Sequence, residues 1–325
     1  MLKIIKSKIK QLIKLINRKF FFQSSKELVN QNSKSNIEED SMNKHKSSAE
    51  YWTNYMVQTE DFANSTESLE FFHWRNAQYP NYINLMPVTD QDGKVVVEYG
   101  CGPGNDLVGF SVYSNPKRLI GIDVSKTALE ASNKRLALHN RKIELIQINE
   151  NDNRIPLESE SVDFVHTSGV LHHCKNIDKV LIELNRILKQ SGEMQVMVYN
   201  YNSLWVHLYT AYINQIQLGL YSDLDIMEAF KHTTDGPDCP ISKCYKPNEF
   251  VDFVMNFGFK GDYIDSSISL TEMIYLQKRF DALQERKLPA EHREFLTNLT
   301  FDNKGIPIYK GQVAGINACY KFTKS

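Results

Sequence analysis

Apolar and polar positions along this chain repeat with two periods, and the switches between them mark out its elements. Val95-Val96-Val97 is a short β-branched run bounded by polar residues, the pattern of a strand buried on both faces of a parallel sheet. Further runs of this kind lie near 119–123, 143–148, 162–166 and 194–199. Between them the apolar residues fall at helical spacing. Ala128, Leu129 and Leu136 form one such set behind a capping Ser125, and Val180, Leu181, Leu184, Ile187 and Leu188 form another behind Asn176. Regular alternation of strand and helix predicts an α/β, doubly wound, mostly parallel sheet whose ligand sits at the carboxyl ends of the strands. Glu98, Asp123, Asp152 and Ser168 fall at such ends.

Outside this core the pattern changes. In residues 1–22, Leu2, Ile5, Ile9, Leu12, Ile13, Ile16 and Phe20 share one helical face, and the seven basic residues are accompanied by no acid. The prediction is a basic amphipathic helix that docks on an anionic membrane surface or an acidic protein partner, with packing on its own fold as the alternative. Residues 23–48 are rich in Ser, Asn and Lys and read as a flexible polar linker, so the compact domain is expected over 49–325. Residues 49–86 are dense in aromatics, including Trp52, Tyr55, Phe72 and Trp74. Two insertions interrupt the later part, about 201–247 and about 267–310. The first is expected to be a lid lining an acceptor site, because connections this long in compact enzymes tend to be functional and its Trp205, Tyr209 and Tyr212 recur at near-helical spacing, with packing as helix core the alternative. No apolar run is long enough to span a bilayer and no secretory leader is evident, which predicts a cytoplasmic protein, with peripheral membrane attachment through 1–22 left open.

The chemistry is concentrated behind the first strand, in Glu98-Tyr99-Gly100-Cys101-Gly102-Pro103-Gly104. Three glycines let the chain turn tightly and bring a ligand against bare amides. A dinucleotide fingerprint would need a glycine at 105, where the sequence has Asn105. The carboxylate of Glu98 would repel a pyrophosphate and suits a cofactor that is cationic and amino-acid-like at one end, which argues for S-adenosylmethionine.

From these residues onward the chain resembles the class I S-adenosylmethionine-dependent methyltransferases, in the broad group that includes the quinone-biosynthesis C-methyltransferases. The resemblance is carried by the glycine loop, by Leu119-Ile120-Gly121-Ile122-Asp123-Val124-Ser125, by Asn151-Asp152-Asn153-Arg154-Ile155-Pro156-Leu157, by the run from Ser161 to His173, and by the turn Ile187 to Glu193. It covers roughly residues 93–200. It implies a Rossmann-like, seven-stranded methyltransferase sheet with helical insertions and a flexible N-terminal extension, its last two strands an antiparallel edge pair near 259–264 and 313–322. It also implies S-adenosylmethionine contacts from Glu98, Tyr99, Gly100, Cys101, Gly102, Asp123, Val124, Asn151, Asp152 and Ser168, with Asp123 on the ribose hydroxyls. Two departures stand out: Glu98 where Asp is usual, and an uncertain register among Glu150, Asn151, Asp152 and Asn153.

Methyl transfer from a sulfonium needs alignment and exclusion of water more than a catalytic triad, so catalytic residues are not assigned. His172 and His173 are weak candidates for a general base, and a structural histidine bonding the loop backbone is the favoured alternative. Arg75, beside aromatics, could pair with the cofactor's carboxylate or serve a surface ion pair. The five cysteines are scattered; Cys239 and Cys244 with His232 would make at best half of a zinc site, so no metal is expected. Formal charge is −1, with no basic stripe in the folded part, which argues against nucleic acid. The expected acceptor is a small or medium-sized organic molecule, with lipid, quinone and glycan-linked classes open. A protein or RNA methyltransferase and a non-catalytic cofactor-binding module are the alternatives.

Overall fold

The computed structural model describes residues 47–55, 60–152, 154–236 and 238–325. The amphipathic segment 1–22 and nearly all of the linker 23–48 lie outside the described residues. The description begins with Ser47, whose side chain accepts from the Glu50 amide and caps helix α1, Ser48–Asn54. Helices α2, Ser65–Ala77, and α3, Tyr82–Leu85, precede the first strand.

Five strands follow: β1 Val95–Tyr99, β2 Arg118–Asp123, β3 Glu144–Gln147, β4 Val162–Ser168 and β5 Leu188–Asn200. Helices α4, Asn105–Tyr113, α5, Lys126–Ala137, and α6, Ile177–Ile187, connect them, and neighbouring strands in this set pair in parallel. Val96 and Val97 are both fully buried because adjacent side chains on a strand point to opposite faces and both faces are covered. Val97, Ile120 and Val196 meet Val180, Leu181 and Leu184 of α6. On the other face Val96, Leu119 and Phe164 meet Leu107 and Phe110 of α4. Each such side chain contributes about 1.5–3 kcal/mol on burial.

Ser125 caps α5 as its position predicts, accepting from the Ala128 amide at 3.2 Å. Asn176 does not cap α6 through its side chain; its φ of −118° and ψ of 59° depart from the extended backbone that aims a cap at the helix amides.

After β5 the chain forms a π-helix, Trp205–Gln217, then α7, Ile226–Lys231, a two-residue strand β6, Cys244–Tyr245, and α8, Pro247–Met255, which starts on its proline. Strand β7, Phe259–Ser267, leads into α9, Leu270–Tyr275, α10, Arg279–Gln284, and α11, Ala290–Thr297. Short strands β8 Thr300–Phe301, β9 Pro307–Tyr309 and β10 Gln312–Val313 make a separate antiparallel sheet before β11, Asn317–Lys324. The main sheet runs β3-β2-β1-β4-β5-β11-β7, with β11 antiparallel to both neighbours. These are the seven strands expected of the doubly wound sheet, and among the described residues β6 adds an eighth beside Tyr199 and Asn200.

The two insertions share a second core. Leu204, Leu208, Ala211 and Tyr212 pack with Ala282, Leu288, Phe295 and Leu296. Trp205 and Tyr209, expected to line an acceptor site, pack edge-on at 4.8 Å, and Tyr209 also lies 4.8 Å from Tyr275. The first part of the long insertion is thus largely internal structure, and its second part, 233–244, reaches the sheet's carboxyl edge. Among the described residues no helix is long and apolar enough to cross a membrane.

Candidate active site

The turn after β1 is fixed by β2. The amides of Gly100 and Cys101 both donate to the Ile122 carbonyl, at 2.7 and 3.0 Å, and the Gly102 amide donates to Asp123 Oδ2 at 2.8 Å. Gly100 and Gly102 have φ of +75° and +51°, a region costly for residues with a Cβ. Their surroundings differ. A Cβ on Gly100 would collide with the γ-methyls of Val170 in the loop after β4, whereas a Cβ on Gly102 would meet nothing within 4 Å. Gly100 therefore serves loop packing, and Gly102 is the position that leaves the backbone open to a ligand.

Glu98 is 4% exposed, with one carboxylate oxygen lacking any partner among the described residues, while the Leu107 amide supports the group. Burial first, and then the neighbouring Asp106 charge, push its carboxyl well above the usual range. Asp106, in the first turn of α4, accepts from Arg75 Nη1 at 3.1 Å and from His166 Nε2 at 3.2 Å. Burial alone would raise Asp106, but Arg75 and His166 outweigh it and hold the carboxyl at about 2. Arg75 is thus a buried partner of Asp106, lying 4.9 Å over the Tyr82 ring, not the surface ion pair that the sequence left open. Its Nε has no partner among the described residues. Burial lowers the nearby Arg135 guanidinium to about 10; its nitrogens donate to Ser68 and Asn105.

Asp123 ends β2, with Oδ1 taking the Ser125 amide at 2.8 Å and Oδ2 the Gly102 amide. Burial raises its carboxyl, and these amides work in the other direction. The Val124 amide also supports this carboxylate, and with three amides on its two oxygens it keeps acceptor capacity for a further donor. Tyr99 and Cys101 point into the core and Val124 packs against it, so at these positions the main chain is what faces the loop. Asn151 and Asp152 are exposed on the turn after β3, and Asp152 borders a groove with Arg154, Pro156 and Glu183. Glu150, one residue earlier, accepts from the Ala49 amide at 3.0 Å and ties that turn to α1. Ser168 closes β4 with its hydroxyl bonded to the Tyr82 phenol.

The loop after β4 carries a second cluster. His172 is fully buried between His173 and Tyr199, with ring centroids at 4.1 and 3.9 Å, and both its nitrogens lack partners among the described residues. Burial, then His173, lower its pKa well below the ordinary value, so it is neutral at physiological pH. His173 Nδ1 donates to the Ile241 carbonyl at 2.6 Å, bonding the backbone of the long insertion and not its own loop. Its Nε2 lies 3.5 Å from Asp235 Oδ2, and Tyr199 donates to both Asp235 oxygens at 3.0 Å. Trp52 of α1 packs edge-on to His173 at 4.9 Å. The sequence marks Tyr51 and Trp52 only through the aromatic density of 49–86, and Asp235 only as one of three aspartates, with Asp223 and Asp238, that suggest magnesium but lack the placement a magnesium-dependent methyltransferase would need.

The buried, unpartnered oxygen of Glu98, the open side of Gly102 and the spare lone pairs of Asp123 fit a ligand with an ammonium at one end and a diol at the other. Part of the chain also matches a known family and several known proteins. Residues 97–196 match a family described as a methyltransferase domain. The chain is 29% identical over 156 residues to an uncharacterized 37.1 kDa protein in a transposon of Streptomyces fradiae, covering 47% of this chain and 40% of that one. It is 28% identical over 142 residues to an uncharacterized methyltransferase of Schizosaccharomyces pombe, covering 40% and 49%. The chain thus spans half or less of the length of these curated relatives. Among solved structures, the YcgJ protein of Bacillus subtilis superposes with a TM-score of 0.47 at 15% identity, covering 74% of this chain and 95% of that one.

Proposed function

We propose, from the class I S-adenosylmethionine-dependent methyltransferase domain that residues 97–196 form, that this protein methylates a small or medium-sized organic acceptor by in-line displacement. One observation carries the cofactor half of this reading: the oxygen of Glu98 buried without a partner at the head of the glycine loop. An unsatisfied buried acceptor is costly, and a charged donor from a ligand offsets that cost. When bound, S-adenosylmethionine supplies a methyl group already activated on a sulfonium.

The chain's own residues then bind and align. Glu98 accepts the ammonium, Asp123 takes the ribose hydroxyls with its spare lone pairs, and Gly102 leaves space against the main chain. Tyr99, Cys101 and Val124 contribute backbone surface, while Asn151 and Asp152 edge the adenine side and Ser168 sits at the end of β4 facing the acceptor. Trp52, His173, Tyr199 and Asp235 border the acceptor end and exclude water, since most of their surface is already buried against one another. Enclosure by α1 and the segment 233–244 favours a small acceptor over a folded macromolecule. Lipid, quinone and glycan-linked molecules are the classes to try.

Calorimetric titration with S-adenosylmethionine should show binding that Asp123→Ala weakens by about 10–100-fold, the loss of a paired hydrogen-bond acceptor. Transfer of a labelled methyl group to an acceptor panel should follow. Binding without transfer to any acceptor would favour a non-catalytic module, and no binding at all would overturn the cofactor.

A further inference from the structure

We propose that His173, Asp235 and Cys239 form a site for one divalent transition-metal ion, zinc by its donor set, fastening the long insertion to the loop after β4. One nitrogen, one carboxylate oxygen and one sulfur from these residues all lie within 4.8 Å of one another. His173 and Cys239 are buried and Asp235 is nearly so. Two N or O donors about 2.0–2.1 Å from a tetrahedral ion stand roughly 3.3 Å apart, and His173 Nε2 and Asp235 Oδ2 are already at 3.5 Å.

The hydrogen bonds around the triad select the same nitrogen. A carbonyl can only accept, so His173 Nδ1, 2.6 Å from the Ile241 oxygen, carries the proton. That leaves Nε2 as the nitrogen facing Asp235 Oδ2, with space between the two for a proton or for a metal ion. Metal-bound histidines are oriented in this way by a backbone carbonyl on their other nitrogen. The carboxylate is held from behind by the Tyr199 hydroxyl, and the Asp235 carbonyl accepts from the Tyr51 hydroxyl at 2.5 Å. Cys239 Sγ now donates to the Ile241 carbonyl at 3.3 Å and lies 3.9 Å from His173 Nδ1. Closing onto the ion requires the sulfur to swing by about 1 Å and to release its proton, as thiol ligands do. Mixed N, O and S donors suit zinc or cobalt and exclude magnesium or calcium as the natural occupant. Three protein ligands leave a fourth position for water or for an oxygen of the acceptor.

The grouping that lies close in sequence is not the one the fold makes. Cys244 Sγ rests 3.6 Å from Met227 Sδ, and His232 stacks on Tyr221, so neither joins Cys239.

The test is metal content and not turnover, so it stands apart from the methyltransferase reading. Full-length protein without a polyhistidine tag is stripped with chelator, dialysed against zinc and analysed by mass spectrometry, then loaded with Co(II) for absorption spectroscopy. One ion per chain is expected, with a thiolate-to-cobalt charge-transfer band. Cys239→Ser keeps a hydroxyl for the Ile241 carbonyl and should remain folded by near-ultraviolet circular dichroism. It should lose the band and at least about 100-fold in zinc affinity. Tyr199→Phe should lose about 10–100-fold while keeping the band. If wild type takes up no zinc at micromolar concentration, or if Cys239→Ser takes up as much with the same spectrum, the triad is only a hydrogen-bonded latch and the proposal fails.

Discussion

Glu98 and Glu272 are both buried glutamates, and they sit in opposite circumstances. Glu272 opens α9 in a capping box with Ser269, and it also accepts from the amides of Trp205 at 3.0 Å and Ile316 at 3.3 Å, so both oxygens are occupied. It knots the π-helix, α9 and the approach to β11 together. Glu98 is equally enclosed but keeps one oxygen without a partner among the described residues. Beyond the Leu107 amide, no donor among the described residues completes it. A carboxylate whose hydrogen bonds are all satisfied by the chain serves the architecture, and one left short is where the proposed function places the ligand's ammonium.

The largest effect that would sharpen this contrast is at Asp106. Asp106→Ala strips Arg75 of its buried counter-charge and His166 of its hydrogen-bond partner, and should destabilise the protein by about 3–5 kcal/mol in urea unfolding. A loss under about 1 kcal/mol would show that the network is not what holds the glycine-loop end together.

Glu272 comes next, through pH. Burial outweighs its four hydrogen bonds and raises its carboxyl from 4.5 to about 7. The folded protein therefore keeps a proton that the unfolded chain has released between those values. This contribution to stability is full below 4.5 and falls as pH rises through 7, by up to about 3 kcal/mol. Unfolding free energies measured across that window should decline with pH, and Glu272→Gln should flatten the decline while lowering stability overall. A variant with the wild-type slope would place the titration elsewhere.

Gly102→Ala meets no atom and should cost only the left-handed backbone, about 1–2 kcal/mol, whereas Gly100→Ala adds the collision with Val170 and should cost more. Equal thermal shifts for the two would contradict the division of labour in the loop. The smallest effect on stability is expected at Glu98. Glu98→Gln is nearly isosteric and should change stability less than the glycine variants do, yet weaken S-adenosylmethionine binding by about 10–100-fold. Unchanged affinity would remove Glu98 from the cofactor site.

The same contrast explains what could be read in the sequence. Val95-Val96-Val97, the glycines behind it and Ser125 carry signatures written in adjacent residues, so local pattern is enough to predict β1, the turn and the start of α5, although the turn's partners Ile122, Asp123 and Val170 lie far along the chain. Strand β5 was read from 194 but begins at Leu188, because the polar stretch Lys189–Glu193 conceals its pairing with β4 at Val162. The knot around Glu272 and the meeting of His173 with Asp235 and Cys239 join segments more than 40 residues apart, and no periodicity encodes such a meeting. Trp205, Tyr209 and Tyr212 show the reverse limit: helical spacing identified an apolar face correctly, but not whether it would meet a ligand or another helix.

Strand β11 lies between β5 and β7, and the whole segment 268–316 is threaded into the connection from β7 to β11. As a kinetic problem, β7 has no strand to pair with until β11 arrives, and the loop that must close is long. If α9, α10, α11 and the π-helix pack first, they bring the two ends of that loop together before either strand pairs. The rate at which the main sheet is completed is then set by a core that contributes no strand to it. Phe295→Ala, at the centre of that core, should slow refolding as well as speed unfolding, the signature of contacts formed before the rate-limiting step. If only unfolding accelerates, the sheet closes first and the accessory helices assemble on a finished edge.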